Sequence, residues 1–164
     1  MTAIRNVQEA DAARCAKIYD VYAQNTCISL EETPLSAEEY AGRIRDVLQK
    51  GYPFLVAEND KRNVIDFAYL NVYNSRSAYR HTADLSVYAD EKYLHEHVGS
   101  ALLSAIEAKA KEQGITNIVS IITDENENSV RFHEKHGFKK EGHLHNVAVK
   151  FGKQVGVYYY RKPL

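Results

Sequence analysis

The period of the apolar positions changes several times along this chain, and each change marks an element. Residues 2–7 (TAIRNV) read as a short first strand. From Glu9 to Ala23 the spacing lengthens: Ala12, Ala16, Tyr19 and Ala23 recur at helical intervals, which predicts a helix. A turn-forming stretch, NTCISLEETP, is closed by Pro34. Ser36-Ala37-Glu38-Glu39 then has capping-box spacing, and Tyr40, Ile44, Val47 and Leu48 share one helical face. Gly51 and Pro53 stop that helix.

Three strand-like blocks follow, Phe54–Glu58, Val64–Tyr73 and Thr82–Ala89, the last two rich in β-branched and aromatic residues. Val98, Leu102, Ala105 and Ile106 form a helical apolar face that ends at Gly114. Asn117–Thr123 (NIVSIIT) is nearly continuous in apolar residues, the pattern of a strand covered on both faces. A short helix from about Ser129 to His136 stops at Gly137, and Asn128 or Asp124 can cap it, with Val130 and Phe132 on its inner side. Strands near Phe138–Lys150 and Gln154–Arg161 close the chain. The order is strand, helix, helix, three strands, helix, strand, helix, two strands. It predicts one α/β domain over residues 1–164 with a mixed sheet, not a regular βαβ alternation.

Composition narrows the function classes. The 164 residues carry 21 Lys plus Arg against 22 Asp plus Glu, a formal charge of −1, so nothing forces a nucleic-acid-binding stripe. No apolar run approaches the ~18 residues of a membrane helix, and the charged start lacks the apolar core of a signal peptide. Cys15 and Cys27 form no CxxC spacing and no disulfide framework. The expectation is a soluble, cytoplasmic domain without nucleic-acid or membrane partners.

Two blocks can carry chemistry. In VYADEKYLHEHVGS (87–100) a strand passes through a polar loop into an apolar-faced helix, whose N-terminus offers free N–H groups to an anion. Any strand–loop–helix crossover shares that feature. In DENENSVRFHEKHGF (124–138), His133 is able to exchange a proton near neutral pH, or to serve as a hydrogen-bonded structural histidine. The pairs His95-x-His97 and His143-x-His145 would each share a strand face, but no third ligand is spaced to complete a metal site, and no metal is expected.

Taken together and in order, Arg76-Ser77-Ala78-Tyr79, Thr82, Ser86-Val87-Tyr88, Gly99-Ser100, Asn126, SVRFHEKHGF and Gly152-Lys153 resemble the GNAT acetyltransferases. The similarity spans about residues 2–162 and is nearest the phosphinothricin acetyltransferase group. It implies the acyl-CoA N-acyltransferase fold, a mixed, mostly antiparallel sheet flanked by helices. It also implies transfer of an acetyl group from the cosubstrate acetyl-CoA to the primary amine of a small amino-acid-like molecule, in a protein that is a homodimer. By the same resemblance, the backbone of Val87, Tyr88 and Ala89 would pair with the pantetheine arm. His95, Glu96, His97, Val98, Gly99 and Ser100 would cradle the pyrophosphate, and Asn126 would lie near the reactive end. Asp84 stands where the family carries a glutamate and is the expected proton acceptor. His133 stands where many members place a tyrosine and is the expected donor to the departing sulfur. Arg76 and Tyr79 are able to hold a substrate carboxylate or to line a dimer contact.

The chain departs from the family pattern at several of these places. In Leu94-His95-Glu96-His97-Val98-Gly99 a glycine of the family loop is replaced by His97, and His95 takes a position often filled by arginine. Asp66 stands for a glycine, Gly156 for an aspartate and Leu30 for a phenylalanine. The altered loop keeps open a second reading, a GNAT-fold binding protein with weak or no catalysis.

Overall fold

The computed structural model describes residues 2–94 and 97–164. Strand β1 (Ala3–Asn6) leads through a turn of 3-10 helix into α1 (Ala12–Asn25) and then α2 (Ala37–Gln49). Strands β2 (Phe54–Glu58), β3 (Val64–Val72) and β4 (Thr82–Ala89) follow. Helix α3 (Val98–Glu112) crosses to β5 (Asn117–Thr123), and α4 (Glu127–Lys135) precedes the long hairpin β6 (Lys139–Lys150) and β7 (Lys153–Pro163). The capping box at α2 forms as its spacing predicts: Ser36 Oγ accepts from Glu39 N at 3.1 Å, and Glu39 Oε2 accepts from Ser36 N at 2.7 Å. Helix α4 starts two residues earlier than its periodicity suggests. Its cap is Asn126, whose Oδ1 accepts from Ser129 N at 3.1 Å, rather than Asn128 or Asp124.

The sheet has seven strands in the order β1-β2-β3-β4-β5-β7-β6. Every neighbouring pair is antiparallel except β4 with β5, whose parallel pairing needs the crossover that α3 supplies. The expected mixed, mostly antiparallel sheet flanked by helices is the one observed. One face packs under α1 and α2 around Tyr19, Tyr40, Ile44, Phe54 and Phe67; the other packs under α3 around Leu55, Leu70, Leu102, Ile106 and Tyr160.

Strand β4 has eight residues, yet only Thr82, Ala83 and Asp84 pair with β5, opposite Asn117, Ile118 and Val119. Beyond Asp84 the two strands part. Leu85–Ala89 stay paired with β3 on their other edge, and Ser120–Thr123 stay paired with β7. A gap therefore opens in mid-sheet. It also explains why β5 is not covered on both faces: Ile121 borders the gap and is half exposed.

At the end of β5, Asp124 takes space that a β7 side chain would otherwise fill. Its carboxylate accepts from Gly156 N at 3.2 Å and lies 3.0 Å from His143 Nε2. A β-carbon at 156 would run into Asp124 Oδ2 and sit 2.7 Å from the Leu144 carbonyl oxygen, so only glycine fits. Gly156 is thus required by the β6 backbone at Leu144 as well as by the carboxylate at 124.

Candidate active site

The gap between β4 and β5 holds a cavity of about 70 Å³. Ser86, Val87 and Tyr88 line it from β4, Ser120 and Thr123 from β5, Asn126, Ser129 and His133 from the α4 region, and Ile28 from the loop after α1. Side chains alternate along a strand, so Asp84, Ser86 and Tyr88 face α1 and α2, whereas Ala83, Leu85 and Val87 face α3. His133 and Ser120 come from the α3–α4 face. Groups from the two faces meet only because the sheet opens here.

Asp84 sits at the last paired position, at the foot of the gap and outside the cavity's lining. Its carboxyl makes no hydrogen bond or ion pair with any described residue, and burial raises its pKa to about 6. A carboxyl tuned toward neutrality in this way is suited to accept and release protons near physiological pH. Tyr88 is held by an edge-on contact with Tyr19 at 5.0 Å and a tilted one with Phe67 at 5.4 Å, and burial pushes its hydroxyl well above the ordinary tyrosine pKa. The Tyr22 hydroxyl donates to the carbonyl of Ala89.

His133 is buried, and its two nitrogens have different partners. Nδ1 lies 2.7 Å from the Ser129 carbonyl oxygen, which fixes the proton there; Nε2 lies 2.9 Å from Ser120 Oγ and accepts from it in the neutral ring. Burial holds the imidazole below its usual pKa, the Ser129 carbonyl opposes that, and His136 adds to it. Asn126 uses its carbonyl oxygen as the α4 cap, which leaves its amide N–H group for the cavity.

The head of α3 is built differently from a bare glycine loop. His97 is exposed and left-handed, φ 59°, the conformation that glycine adopts at no cost. Val98 is buried, so only its backbone is free to face a ligand. A β-carbon on Gly99 would lie 3.3 Å from the Phe132 ring, so this glycine lets α4 close against α3. Ser100 Oγ donates to His136 Nε2 at 2.9 Å, pinning the same two helices. His95 and Glu96 lie outside the described residues. Arg76 and Tyr79 are exposed on the β3–β4 connection, away from the cavity's lining; Tyr79 packs on Tyr73 at 5.7 Å. Among the described residues no group of three or more His, Cys, Asp or Glu side chains is placed to hold a metal ion. Sequence reasoning missed Ser120, Ser129 and Ile28. Ser120 had a signal, since it is the one polar residue inside the apolar run of NIVSIIT.

Residues 4–156, which contain this opened sheet and the helix after β4, match the family model of an acetyltransferase (GNAT) domain. The chain belongs to the GNAT acetyltransferases. It is 32% identical to a phosphinothricin N-acetyltransferase of Alcaligenes faecalis over 98% of this chain and 82% of that one. It is 29% identical to an L-methionine sulfoximine/L-methionine sulfone acetyltransferase of Pseudomonas aeruginosa, over 92% and 87% of the two chains. The crystal structure of a phosphinothricin acetyltransferase from Sinorhizobium meliloti in complex with acetyl-CoA superposes with a TM-score of 0.95 at 28% identity, covering 99% of this chain and 88% of that one. This GNAT protein is an acetyl-CoA-dependent N-acetyltransferase. The cleft suits that cosubstrate: the β4 edge facing the gap has no strand partner beyond Asp84, and the amides of an extended ligand are able to satisfy it.

The raised pKa of Asp84 also sets a stability signature. The folded state favours the neutral carboxyl, whereas an unfolded Asp titrates near ~3.9. Stability contributed at this position is therefore present at low pH and lost as pH rises from about 4 through about 6. Asp84→Asn, neutral throughout, should match wild type near pH 4 and exceed it by roughly 1–3 kcal/mol above pH 7. Urea midpoints across that range test it; a difference that does not grow with pH would refute the assignment of a half-buried carboxyl without a partner among the described residues.

Proposed function

We propose that this enzyme acetylates the primary amine of a small amino-acid-like acceptor, of the phosphinothricin or methionine sulfoximine type, in the cytoplasm and as a homodimer. The observation that carries the reading is the gap itself, which opens just beyond a carboxyl suited to accept a proton and is lined by a histidine–serine pair from the other face of the sheet. The names of the Alcaligenes and Pseudomonas relatives support the acceptor class. A cytoplasmic setting accords with two free cysteines, and no described helix is long and apolar enough to cross a membrane.

When bound, acetyl-CoA supplies the thioester that is attacked. The acceptor arrives as an ammonium, and Asp84, ionised above about pH 6, takes its first proton toward solvent. The N–H groups of Val87 and Ala89, on the edge of β4 turned away from β3, face the gap where carbonyl charge would develop, and the segment His97–Ser100 at the head of α3 would hold the phosphates; the resemblance adds His95 and Glu96, which lie outside the described residues. Two protons leave the nitrogen in the full reaction and one ends on sulfur; His133 in its charged form is the donor for the latter. Arg76, whose guanidinium is exposed, is available to the acceptor's carboxylate together with Tyr79. A second reading of His133 rests on its Nε2, which already accepts from Ser120: the neutral ring then only orients that hydroxyl.

The pH profile separates these roles. Turnover should rise through about pH 6 as Asp84 ionises and fall as pH rises through the lowered His133 pKa, leaving a narrow optimum. Asp84→Asn should lower kcat by roughly 10²–10⁴-fold and erase the acid limb. His133→Phe should erase the alkaline limb with little change in the amine KM. Wild-type turnover in the Asn variant would remove Asp84 from the reaction, and an alkaline limb that persists in the Phe variant would assign His133 to positioning Ser120.

The dimer proposal rests on β6, an edge strand that turns Val147 and Val149 outward at 54% and 62% exposure, with Phe151 beyond them at 61%. A bare apolar edge of this kind is usually covered, here by a second copy. Sedimentation equilibrium should give a dimer that Val149→Asp weakens; a wild-type monomer at micromolar concentration would contradict it.

A further inference from the structure

A second chamber, about 390 Å³, lies beside the cleft, between the loop after α1 and the tip of the β6–β7 hairpin. Ile28 lines both chambers, and Glu125 on this one precedes Asn126 on the other. Its lining includes Cys27, Lys150, Phe151 and Lys153. Lys153 is paired with Glu125, so those two charges cancel.

Lys150 has no such partner. It is 1% exposed, and its Nζ donates to one neutral group, the Ser29 carbonyl oxygen at 2.6 Å. Among the described residues it makes no ion pair with a carboxylate and no further hydrogen bond, and its Nζ lies 5.2 Å from the centre of the Phe151 ring. An ammonium buried with a single neutral acceptor is costly unless a counter-charge arrives. Beside it, Phe151 and Gly152 form the two-residue turn of the hairpin, both left-handed at φ 54° and 72°, and this turn sets Phe151 on the wall of the chamber.

We propose that this chamber is the subsite for the acceptor's side chain, and that Lys150 selects acceptors whose side chain ends in an anionic oxo group such as a phosphinate or carboxylate. The proposal rests on the amino-acid N-acetyltransferase reading above and goes beyond it in naming the subsite and the charge it prefers. Lys150 then acts on binding and not on the chemical step, so its effect belongs in KM.

L-phosphinothricin and L-methionine sulfone make a direct test, since they share a shape and differ in the charge of the distal group. Wild-type kcat/KM should favour the phosphinate by about tenfold or more. Lys150→Met should bring the two acceptors to within about threefold of each other, through a higher KM for phosphinothricin, and Lys150→Arg should keep the preference. Equal use of both acceptors by wild type, or an unchanged ratio in the Met variant, overturns the proposal. Should the Met variant fail to fold, the wild-type ratio alone still decides. Should neither acceptor be acetylated, the proposed acceptor class falls, and calorimetric titration of both compounds into wild type then judges the subsite separately: tighter phosphinate binding supports it and equal binding refutes it.

Discussion

Strands β4 and β5 stay together for three register pairs and then separate, while β4 holds β3 through seven pairs and β5 holds β7 through seven. Each strand is therefore anchored on its outer edge, and the short parallel pairing between them, the less stable kind per residue, is what gives way. The break leaves backbone donors and acceptors without partners in the middle of a sheet. Such groups demand a hydrogen-bonding occupant, and an extended, amide-bearing cosubstrate is one. The rest of the site follows from where the ladder ends.

Around the break, the fold sets proton-handling groups against burial. Asp84 is placed at the last pair without a partner, and the loss of solvation alone moves its carboxyl toward neutral pH. His133 is pushed the other way by the same burial, and its tautomer is fixed by the Ser129 carbonyl one helical turn earlier. The two groups come from opposite faces of the sheet, so the proposed proton acceptor and donor would act from separate sides. Aromatic packing of Tyr88 against Tyr19 and Phe67 anchors β4 to the α1–α2 face where its edge is free. Stability given up at Asp84 is of the kind commonly found where a residue serves chemistry before packing.

The sheet-forming segments were legible in the sequence because their period is local. Phe54–Glu58, Thr82–Ala89 and Asn117–Thr123 have the observed bounds, and the Ser36 capping box formed. The start of α4 was misread because three candidate caps crowd Asp124–Asn128, and the choice of Asn126 depends on how the chain leaves β5. The gap was not readable from periodicity, since which edges pair is set by strands far apart in the chain. Gly156 reads as a lost aspartate; it is required by the Leu144 carbonyl and the Asp124 carboxylate, both distant in the chain. His97 occupies the left-handed position its glycine counterpart suggests, and its side chain is exposed. The lone serine of NIVSIIT was visible but unread, and the Lys150 chamber depends on a hairpin folding back over the loop after α1.

The central claim is that the free edge of β4 beyond Asp84 receives the cosubstrate. Residue-resolved amide hydrogen exchange, with and without acetyl-CoA, measures it directly. The amides of Ser86–Ala89 that point toward β5 should exchange freely in the unliganded protein and become protected on binding, while those bonded to β3 change little. Protection that leaves this edge untouched and appears elsewhere would contradict the account.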